Sequence, residues 1–438
     1  MPAGPFSVSM QSAARAIFRA ALAECSIEKA FARNLDYNHG VLRICEDLYD
    51  LKSYSRVMVV SFGKAGHSMA EALARQTGTL AQGIVVDPSP VPHQVSGYRY
   101  FAGGHPHPNS ESVRAAEAIL KSLTALDQNG LALFMISGGG SAAVECPIDT
   151  EMMLSDLVAT YQTLVLSGAP IAQINAIRKH LSAVKGGRMA RAAHPAQQVS
   201  ILVSDVPATA LDSLASGPTM PDSSTIDECH RIAADYKLLE GLPPSVRELF
   251  ERHALEETPK KDDLAFHRSR WWKVLSSETA EQAAAAAARN HGFTVEIDHT
   301  CDDWDCAPAA DYLLDRVRAL RHPSGRVCLI SGGEITVKVP AQAGSGGRNQ
   351  HFALYCARKI AGEDITVLSA GTDGIDGSSP AAGALADGTT MAHARAAGLD
   401  PEVYFNAFNS YEFFELMGAA IHTGSTGTNV RDLRILIA

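Results

Sequence analysis

The sequence predicts an α/β protein with two domains, each a largely parallel, Rossmann-like sheet flanked by helices. Short runs of β-branched residues end in glycine, serine or aspartate, and amphipathic helical patterns separate them. The chain has 438 residues, more than one domain usually contains. Hydrophobic residues make up 46% and charged residues 20%, which is typical of globular proteins and excludes a disordered or fibrous chain.

The first half of the chain predicts a helix and then a parallel sheet. Apolar residues at helical spacing over 8–33 predict an opening amphipathic helix. Buried parallel strands are predicted at RVMVVSFGKAG, QGIVVDPSP, LALFMISGGGS and VSILVSDVP. The helical patterns SESVRAAEAILKSL and EMMLSDLVATYQTLVL lie between them. This alternation is typical of an α/β domain.

A change of composition predicts the domain boundary. Residues 242–263 contain three prolines and a dense run of charge, which indicates a linker or a solvated connecting helix. A second α/β series follows, with the runs SRWWKVLSS, FTVEID, VCLISGGE, DITVLSAGTDG and RILIA. We therefore predict an N-terminal Rossmann-like domain at 1–245 and a C-terminal α/β domain at 246–438.

Charge and hydropathy exclude several classes of partner. The formal net charge is -10 and no long basic block occurs, which argues against a nucleic-acid partner. The longest uniformly apolar runs are short, such as the six alanines at 283–288, and lie far below the roughly 20 residues of a membrane span. The N-terminus lacks the features of a secretory signal, so we predict a cytoplasmic protein.

The cysteine pair Cys301 and Cys306 has neither zinc nor redox spacing.

Glycines and polar residues concentrate where the predicted strands end. The loops concerned are 61–66, 137–141, 204–207, 331–334 and 370–374. Ligands of parallel sheets bind at the carboxyl ends of the strands, and glycine-rich turns expose N–H groups to anions. One such loop could need glycine for its backbone angles alone. Five together favour an anion-binding site.

Motif tests narrow the reaction class. No stretch satisfies the P-loop pattern, which excludes a Walker-type NTPase. Gly138, Gly140 and Ala143 match a relaxed G-x-G-x-x-A fingerprint, but no acidic residue ends a second strand about 20 positions later. A dinucleotide site therefore has weak support. Ser141 resembles a nucleophile elbow without a recognisable triad, and His105-Pro106-His107 favours a turn with neutral histidines over a metal site.

Two basic features suggest an anionic ligand. Arg178, Lys179, Lys185 and Arg188 lie close together in sequence, as either an anion site or a solvated helix face. Arg348 follows the glycine-rich stretch Gly344-Ser345-Gly346-Gly347 and precedes a predicted helix. There it could clamp a phosphoryl group, or it could lie on a mobile surface loop.

Taken in order, the motifs resemble the class II glycerate kinases, whose N-terminal domain is followed by a domain called MOFRL. The residues that carry the resemblance are SFGKA (61–65), GGHPHPN (103–109), ISGGGSA (136–142), INAIRKHLSAVKGGR (174–188), LVSDVP (202–207), SGPT (216–219), SGGE (331–334), GSGGRNQ (344–350), GTDGIDG (371–377) and TGSTGTNVRDL (423–433). They span most of the chain and are far more specific together than any single loop.

The resemblance implies transfer of the γ-phosphoryl group of ATP to D-glycerate, most often at the 2-hydroxyl, giving 2-phosphoglycerate and ADP. It implies an active site in the cleft between the two domains. Lys64 resembles the catalytic lysine, Arg348 the catalytic arginine, and Asp205 an acidic residue of the same cleft. Asp205 is expected either to hold Mg²⁺ or to accept the substrate proton. Asp373 is a second candidate Mg²⁺ ligand.

The glycine-rich loops are expected to bind the glycerate carboxylate and the nucleotide phosphates, without a decision as to which loop takes which. The predicted binding residues are Gly138, Gly139, Gly140, Ser141, Gly332, Gly333, Glu334, Asn349, Gly371, Thr372, Thr423 and Asn429. Arg178 and Lys179 are expected to contact the glycerate carboxylate.

Two other functions stay open at this point. Proteins of this family have carried the label hydroxypyruvate reductase, which predicts NAD(P)H binding and hydride transfer. A noncatalytic sugar-phosphate sensor would keep the glycine loops without needing Lys64 and Arg348 together. A homodimer is also left open.

Overall fold

A computed structural model describes residues 5–78, 82–321 and 325–438. The chain forms two compact units. The N-terminal unit is Ile27–Val274, and the C-terminal unit combines Met1–Ser26 with Leu275–Ala438. No helix in these described ranges is both long and apolar enough to span a membrane.

Helices and strands alternate through much of the chain. The helices are α1 (Pro5–Glu24), α2 (Ile27–Asn34), α3 (Gly66–Thr77), α4 (Ser110–Leu123), α5 (Gly140–Ala143), α6 (Leu154–Leu166), α7 (Ile171–His180), α8 (Arg188–Ala193), α9 (Ile226–Asp235), α10 (Pro244–Glu251), α11 (Ser277–Asn290), α12 (Cys306–Leu320), α13 (Arg348–Lys359), α14 (Thr390–Ala396), α15 (Pro401–Asn406) and α16 (Ser410–Leu416). The strands are β1 (Leu35–Asn38), β2 (Val41–Ile44), β3 (Asp47–Asp50), β4 (Arg56–Phe62), β5 (Gln82–Val86), β6 (Tyr98–Phe101), β7 (Gly130–Ser137), β8 (Gln197–Val203), β9 (Ser269–Leu275), β10 (Thr294–Ile297), β11 (Val327–Gly332), β12 (Thr366–Gly371), β13 (Gly383–Asp387), β14 (Ala420–Ile421) and β15 (Asp432–Ile437).

The main sheet of the N-terminal unit has the order β6-β5-β4-β7-β8-β9. The pairs from β6 to β8 are all parallel, as the sequence predicts. Every residue of β7 is buried, which explains its uninterrupted apolar run. Because β4, β7 and β8 are neighbours and run in the same direction, the loops after them meet at one edge of the sheet. A small antiparallel sheet of β1, β2 and β3 completes this unit's strands.

The sheet of the C-terminal unit is mixed, and here the prediction of a largely parallel sheet is wrong. Its order is β10-β11-β15-β12-β13-β14, and only the β10–β11 pair of these is parallel. The last strand, β15, inserts antiparallel between β11 and β12. Asp432, at the start of β15, is therefore opposite Gly371, at the end of β12. The α/β fold class itself is confirmed.

The boundaries between the two units differ from the predicted boundary at 245/246. The proline-rich stretch forms α10, whose Val246 and Phe250 are buried in the core of the N-terminal unit. Strand β9 then joins the edge of the N-terminal sheet beside β8. Prolines and charges favoured a linker or a solvated connecting helix. A helix is present, but it has a buried face, and Pro244 starts it at a position where its missing N–H costs nothing.

The opening helix belongs to the C-terminal unit. The predicted single helix over 8–33 is two helices, α1 and α2. Ile17 and Phe18 of α1 are buried in one core cluster with Ala284 and Ala285 of α11. The small alanines of α11 let the two helices pack closely, so the N-terminal segment stabilises the unit that is formed mainly by the end of the chain.

Candidate active site

Three neighbouring strands of the N-terminal sheet end in the loops that carry Lys64, Gly138 and Asp205. The N–H of Lys64 donates to the carbonyl of Gly138 at 2.8 Å, which joins the first two loops. The side chain of Lys64 is exposed, and its Cγ lies 3.0 Å from where a Cβ at Gly139 would stand. The structure therefore brings these predicted residues together at the carboxyl edge of the sheet.

Glycine at position 138 leaves room for the side chain of Asp205. A Cβ there would lie 1.9 Å from Oδ2 of Asp205, well inside contact distance. The absence of a side chain lets the Asp205 carboxylate approach the backbone of the 138–141 loop. Gly63 has a similar role in the neighbouring loop: its φ is 106°, and a Cβ would lie 2.5 Å from the carbonyl oxygen of Ser137. The sequence pattern thus encodes close approach between loops.

The loops that carry Gly138 and Asp205 border a cavity of about 620 Å³ in the N-terminal unit. Its wall includes His105, Gly139, Ser141, Arg178 and Asp205. Burial, together with the nearby Lys64 charge, lowers the pKa of His105. The imidazole is therefore neutral at pH 7. Neutral histidines were predicted for this turn, but their place in the cavity wall was not.

Arg178 and Lys179, adjacent in sequence, have different environments. Arg178 lines the cavity with its guanidinium 4.6 Å from the ring centroid of Tyr161, and burial lowers its pKa. Lys179 is buried and its ammonium contacts Asp222 at 3.0 Å and Asp212 at 3.2 Å. Arg178 is thus placed to meet a ligand, whereas Lys179 is held in ion pairs within the protein.

The other two cations of the predicted basic cluster are also paired. Lys185 is buried, donates to the carbonyl of Ser141 at 2.7 Å and bonds to the carboxylate of Glu145. Tyr161 donates to the same carboxylate at 2.5 Å. Arg188 bonds to Glu256 at 3.0 Å. The solvated helix face that the sequence left open is therefore wrong for Lys179, Lys185 and Arg188, because their charges are balanced inside the fold.

In the C-terminal unit, Arg348 is the first residue of α13 and is held between two carboxylates. Its Nε donates to Asp432 at 2.5 Å and its Nη2 to the same carboxylate at 3.1 Å. Nη2 also contacts Glu334 at 2.8 Å. Burial opposes the charged form, but Asp432 and Glu334 outweigh it and raise the pKa of Arg348. Arg348 is therefore a fixed, fully charged guanidinium.

The N-terminus of α13 also binds a carboxylate of the chain itself. Asp376 accepts the N–H groups of Asn349 at 3.1 Å and Gln350 at 2.8 Å. Burial raises the pKa of Asp376 to about 7, although these N–H groups act against it. Asn349 donates to Asp376 and accepts from Ser369 at 2.6 Å. Asn349, a predicted binding residue, is therefore committed to bonds within the protein.

The remaining predicted residues of this unit support its loops. Thr372 donates to the carbonyl of Arg431 at 2.6 Å, and Asn429 accepts the N–H of Arg431 at 2.9 Å. The exposed Thr423 donates to the carbonyl of Gly424 at 2.8 Å. These bonds fix the segment that leads into β15.

Glycines 332, 333 and 371 lie close to the side chains of acidic neighbours. A Cβ at Gly332 would lie 1.8 Å from Glu281, one at Gly333 2.6 Å from Asp302, and one at Gly371 3.1 Å from Asp373. Asp373 in turn lines a cavity of about 710 Å³ that Arg348, His351, Asp376 and Ser378 also border.

Three residues of these clusters were not predicted from the sequence. His105 was not predicted to line a cavity, and Asp376 and Asp432 were not predicted to be site residues. Asp376 and Asp432 both lie inside motifs that carry the family resemblance, GTDGIDG and TGSTGTNVRDL. Their location within these motifs was the signal that could have identified them. The motifs do not show which residue each carboxylate contacts.

The two clusters define the class of protein. Each unit of this α/β fold presents a cation on a glycine-rich strand-end loop or a helix start, with a carboxylate nearby. That chemistry is suited to an enzyme that handles phosphate groups.

Comparisons with known proteins identify the family. The model for the domain of unknown function DUF4147 matches residues 13–251, and that for the MOFRL family matches 327–432. D-glycerate 2-kinase of Thermotoga maritima is 36% identical over 87% of this chain and 90% of its own. A putative hydroxypyruvate reductase of Agrobacterium vitis is 36% identical over 98% and 95%.

A crystal structure of glycerate kinase from Thermotoga maritima superposes with a TM-score of 0.84 at 32% identity, covering 98% of this chain and 99% of the other. The chain belongs to the glycerate kinase family.

Proposed function

We propose that this chain transfers the γ-phosphoryl group of ATP to D-glycerate at the 2-hydroxyl, giving 2-phosphoglycerate and ADP. The observation that carries the proposal is the grouping of Lys64, the 138–141 loop and Asp205 at the carboxyl edge of one parallel sheet. Membership of the glycerate kinase family supports the substrate class.

Lys64 and Arg348 neutralise charge on the transferred group in this proposal. Phosphoryl transfer has a loose transition state, so catalysis depends mainly on positioning and on stabilising charge. The exposed Lys64 supplies a point charge beside the backbone N–H groups of the glycine loop. Arg348 supplies a planar fork whose charge Asp432 and Glu334 maintain. That both act on the same phosphoryl group stays a prediction.

The carboxylates of Asp205 and Asp373 fit Mg²⁺, because both are hard oxygen donors beside glycine-rich loops and each lines a cavity. Bound Mg²⁺ would neutralise phosphate oxygens. If Asp373 holds the metal, Asp205 would instead accept the proton of the glycerate hydroxyl. Replacement of Mg²⁺ by Mn²⁺ in Asp205→Asn separates these roles: a metal ligand shifts the metal requirement, and a base does not.

Arg178 binds the glycerate carboxylate in this account, because it lines the cavity of the N-terminal unit and stacks on Tyr161. Lys179, also predicted for this role, is less suited to it, since Asp212 and Asp222 already balance its charge. Glycerate therefore occupies the N-terminal unit.

The reductase is favoured by the relatives that carry that name and, weakly, by the G-x-G-x-x-A match at 138–143. The local structure gives it little support. The helix after the Gly138 loop, α5, is four residues long, whereas a dinucleotide fingerprint places the pyrophosphate on a full crossover helix.

The test is ³¹P NMR of the purified protein with D-glycerate, ATP and Mg²⁺, alongside absorbance of NADH with hydroxypyruvate. We expect a 2-phosphoglycerate resonance and stable NADH absorbance. A 3-phosphoglycerate resonance would keep the kinase and correct the regiochemistry. NADH oxidation without a phosphoester would replace the kinase by the reductase.

A further inference from the structure

A group of three ligand-type side chains lies outside the proposed active site, on the surface of the N-terminal unit. His67 and Glu71 stand one turn apart on the same face of α3, and His93 comes from the segment after β5. One ligand atom from each lies within 4.8 Å of the other two. Nε2 of His93 is 3.2 Å from Oε1 of Glu71.

We propose that His67, Glu71 and His93 bind one divalent transition-metal ion, with Zn²⁺ the expected species. Two imidazoles and one carboxylate are a ligand set that suits zinc and leaves a fourth position for water. Ligand atoms at about 2.0–2.1 Å around a tetrahedral ion lie about 3.3 Å apart. The His93–Glu71 distance already has that value, and the exposed ring of His93 can move to close the remaining gap.

Neighbouring groups orient the ligands, as they do in established metal sites. The hydroxyl of Tyr100 lies 3.0 Å from Nδ1 of His67 and also accepts the N–H of Val95 at 3.2 Å. The carboxylate of Asp87 accepts the backbone N–H of His67 at 3.1 Å. His67 is buried, so its ring is fixed before a metal arrives. Asp87 and Glu71 also supply negative charge for a divalent ion.

One cation competes for the site. Nη2 of Arg75 lies 3.2 Å from the same Glu71 oxygen that His93 contacts. The Arg75 side chain is 59% exposed and also contacts Glu28, so it can leave Glu71 at little cost. A metal ion therefore replaces an exposed ion pair, and removal of Arg75 should strengthen metal binding.

The site has a structural consequence for the proposed catalytic lysine. His67 lies in the first turn of α3, three residues after Lys64. A metal ion would tie the first two turns of this helix to the segment between β5 and β6. The proposal does not depend on the kinase assignment, since the ligands are distinct from every residue proposed to act on substrate.

The experiment measures Zn²⁺ binding to the untagged full-length protein after chelation and dialysis, by isothermal titration. We expect one ion per chain in the wild type, a rise in melting temperature on Zn²⁺ addition, and intense visible absorption with Co²⁺ in its place. His93→Ala should weaken binding at least about 100-fold, since loss of a residue that merely orients a ligand already costs about 10- to 100-fold. Arg75→Gln should bind more tightly than the wild type.

His422→Ala is the matched control. His422 pairs with Glu415 at 2.8 Å in an exposed position, and no third ligand joins that pair among the described residues. Its loss should leave Zn²⁺ affinity unchanged. Absence of stoichiometric binding, or unaltered affinity in His93→Ala, would overturn the proposal. So would equal weakening in His93→Ala and His422→Ala.

Discussion

The Lys64 and Arg348 clusters present their cations in different ways. Lys64 is exposed on a turn between a parallel strand and a helix, and glycines on the neighbouring loop create the space around it. Arg348 is two-thirds buried and fixed by the side chains of Asp432 and Glu334. The first arrangement depends on backbone shape, and the second on charge balance.

Function and stability should therefore be separable in the Lys64 cluster and linked in the Arg348 cluster. An exposed lysine can be removed without leaving a buried group unpaired. Removal of the arginine leaves Asp432, whose side chain is 2% exposed, without its bidentate partner. The predictions below test that contrast.

Arg348→Ala should have the largest effect. Loss of an arginine that stabilises a transferring phosphoryl group lowers kcat by about 10³- to 10⁵-fold. The unpaired Asp432 should also lower the free energy of unfolding by about 3–5 kcal/mol. Steady-state kinetics and thermal denaturation on one preparation check both effects. Arg348→Lys should also be poor in catalysis, because a point charge does not replace the planar fork. A normal melting curve in Arg348→Ala would show that the pair with Asp432 does not stabilise the unit.

Lys64→Ala should lower kcat by about 10³-fold, the cost of losing a preorganised electrostatic group, with an unchanged melting temperature. Lys121→Ala, which removes an exposed lysine from the last turn of α4, is the control and should change neither quantity. Wild-type turnover in Lys64→Ala would remove this lysine from the mechanism. A lowered melting temperature would instead end the contrast with Arg348.

Gly138→Ala tests whether backbone shape positions the first cluster. The added Cβ would displace the Asp205 carboxylate or the loop, and a displacement of about 1 Å can cost about 100-fold in rate. Gly325→Ala is the control, since no atom of the described residues lies within 4 Å of a Cβ there. Kinetics of both variants should show a loss only at position 138. Equal activity would mean that the approach of Asp205 to this loop is unimportant for turnover.

Part of the pH dependence of stability should come from the Arg348 cluster, where Asp376 accepts N–H groups at the start of α13. Because the pKa of Asp376 is raised to about 7, the folded protein keeps a proton there that the unfolded chain loses near pH 4. This contribution to stability is complete at low pH, declines as pH rises towards 7, and is constant above it. Asp376→Asn lacks the titration, so its stability relative to the wild type should improve by about 2 kcal/mol between pH 5 and pH 7. If the stabilities of Asp376→Asn and the wild type changed in parallel over this pH range, Asp376 would titrate outside it.

The Lys64 cluster could be predicted from the sequence, whereas the Arg348 cluster could be predicted only in part. Runs of buried β-branched residues ending at Lys64, Gly138 and Asp205 predict parallel strands, whose carboxyl ends must meet. The strand pattern of β15 was equally clear, but its direction was not. An apolar run does not determine which strand it pairs with, so the contact between Asp432 and Arg348 could not be derived from the sequence.

Side-chain direction limited the prediction of individual residues. Arg178 and Lys179 share a helix and a charge, yet successive helical residues point about 100° apart, and only the three-dimensional structure shows which one reaches the cavity. The domain boundary predicted near residues 242–263 differs from the observed one for a related reason. The prolines and charges of this stretch hid two apolar residues four positions apart, Val246 and Phe250, on the buried face of α10.

In the proposed mechanism Lys64 and Arg348 serve the same chemical step, and a double-mutant cycle measures whether they do. Single-turnover rates of phosphoryl transfer would be measured for the wild type, Lys64→Ala, Arg348→Ala and the double variant. Groups that act as a unit are strongly non-additive, so the double variant should react within about tenfold of the slower single variant. Rate losses that multiply in the double variant would contradict the claim and assign the two residues to independent roles.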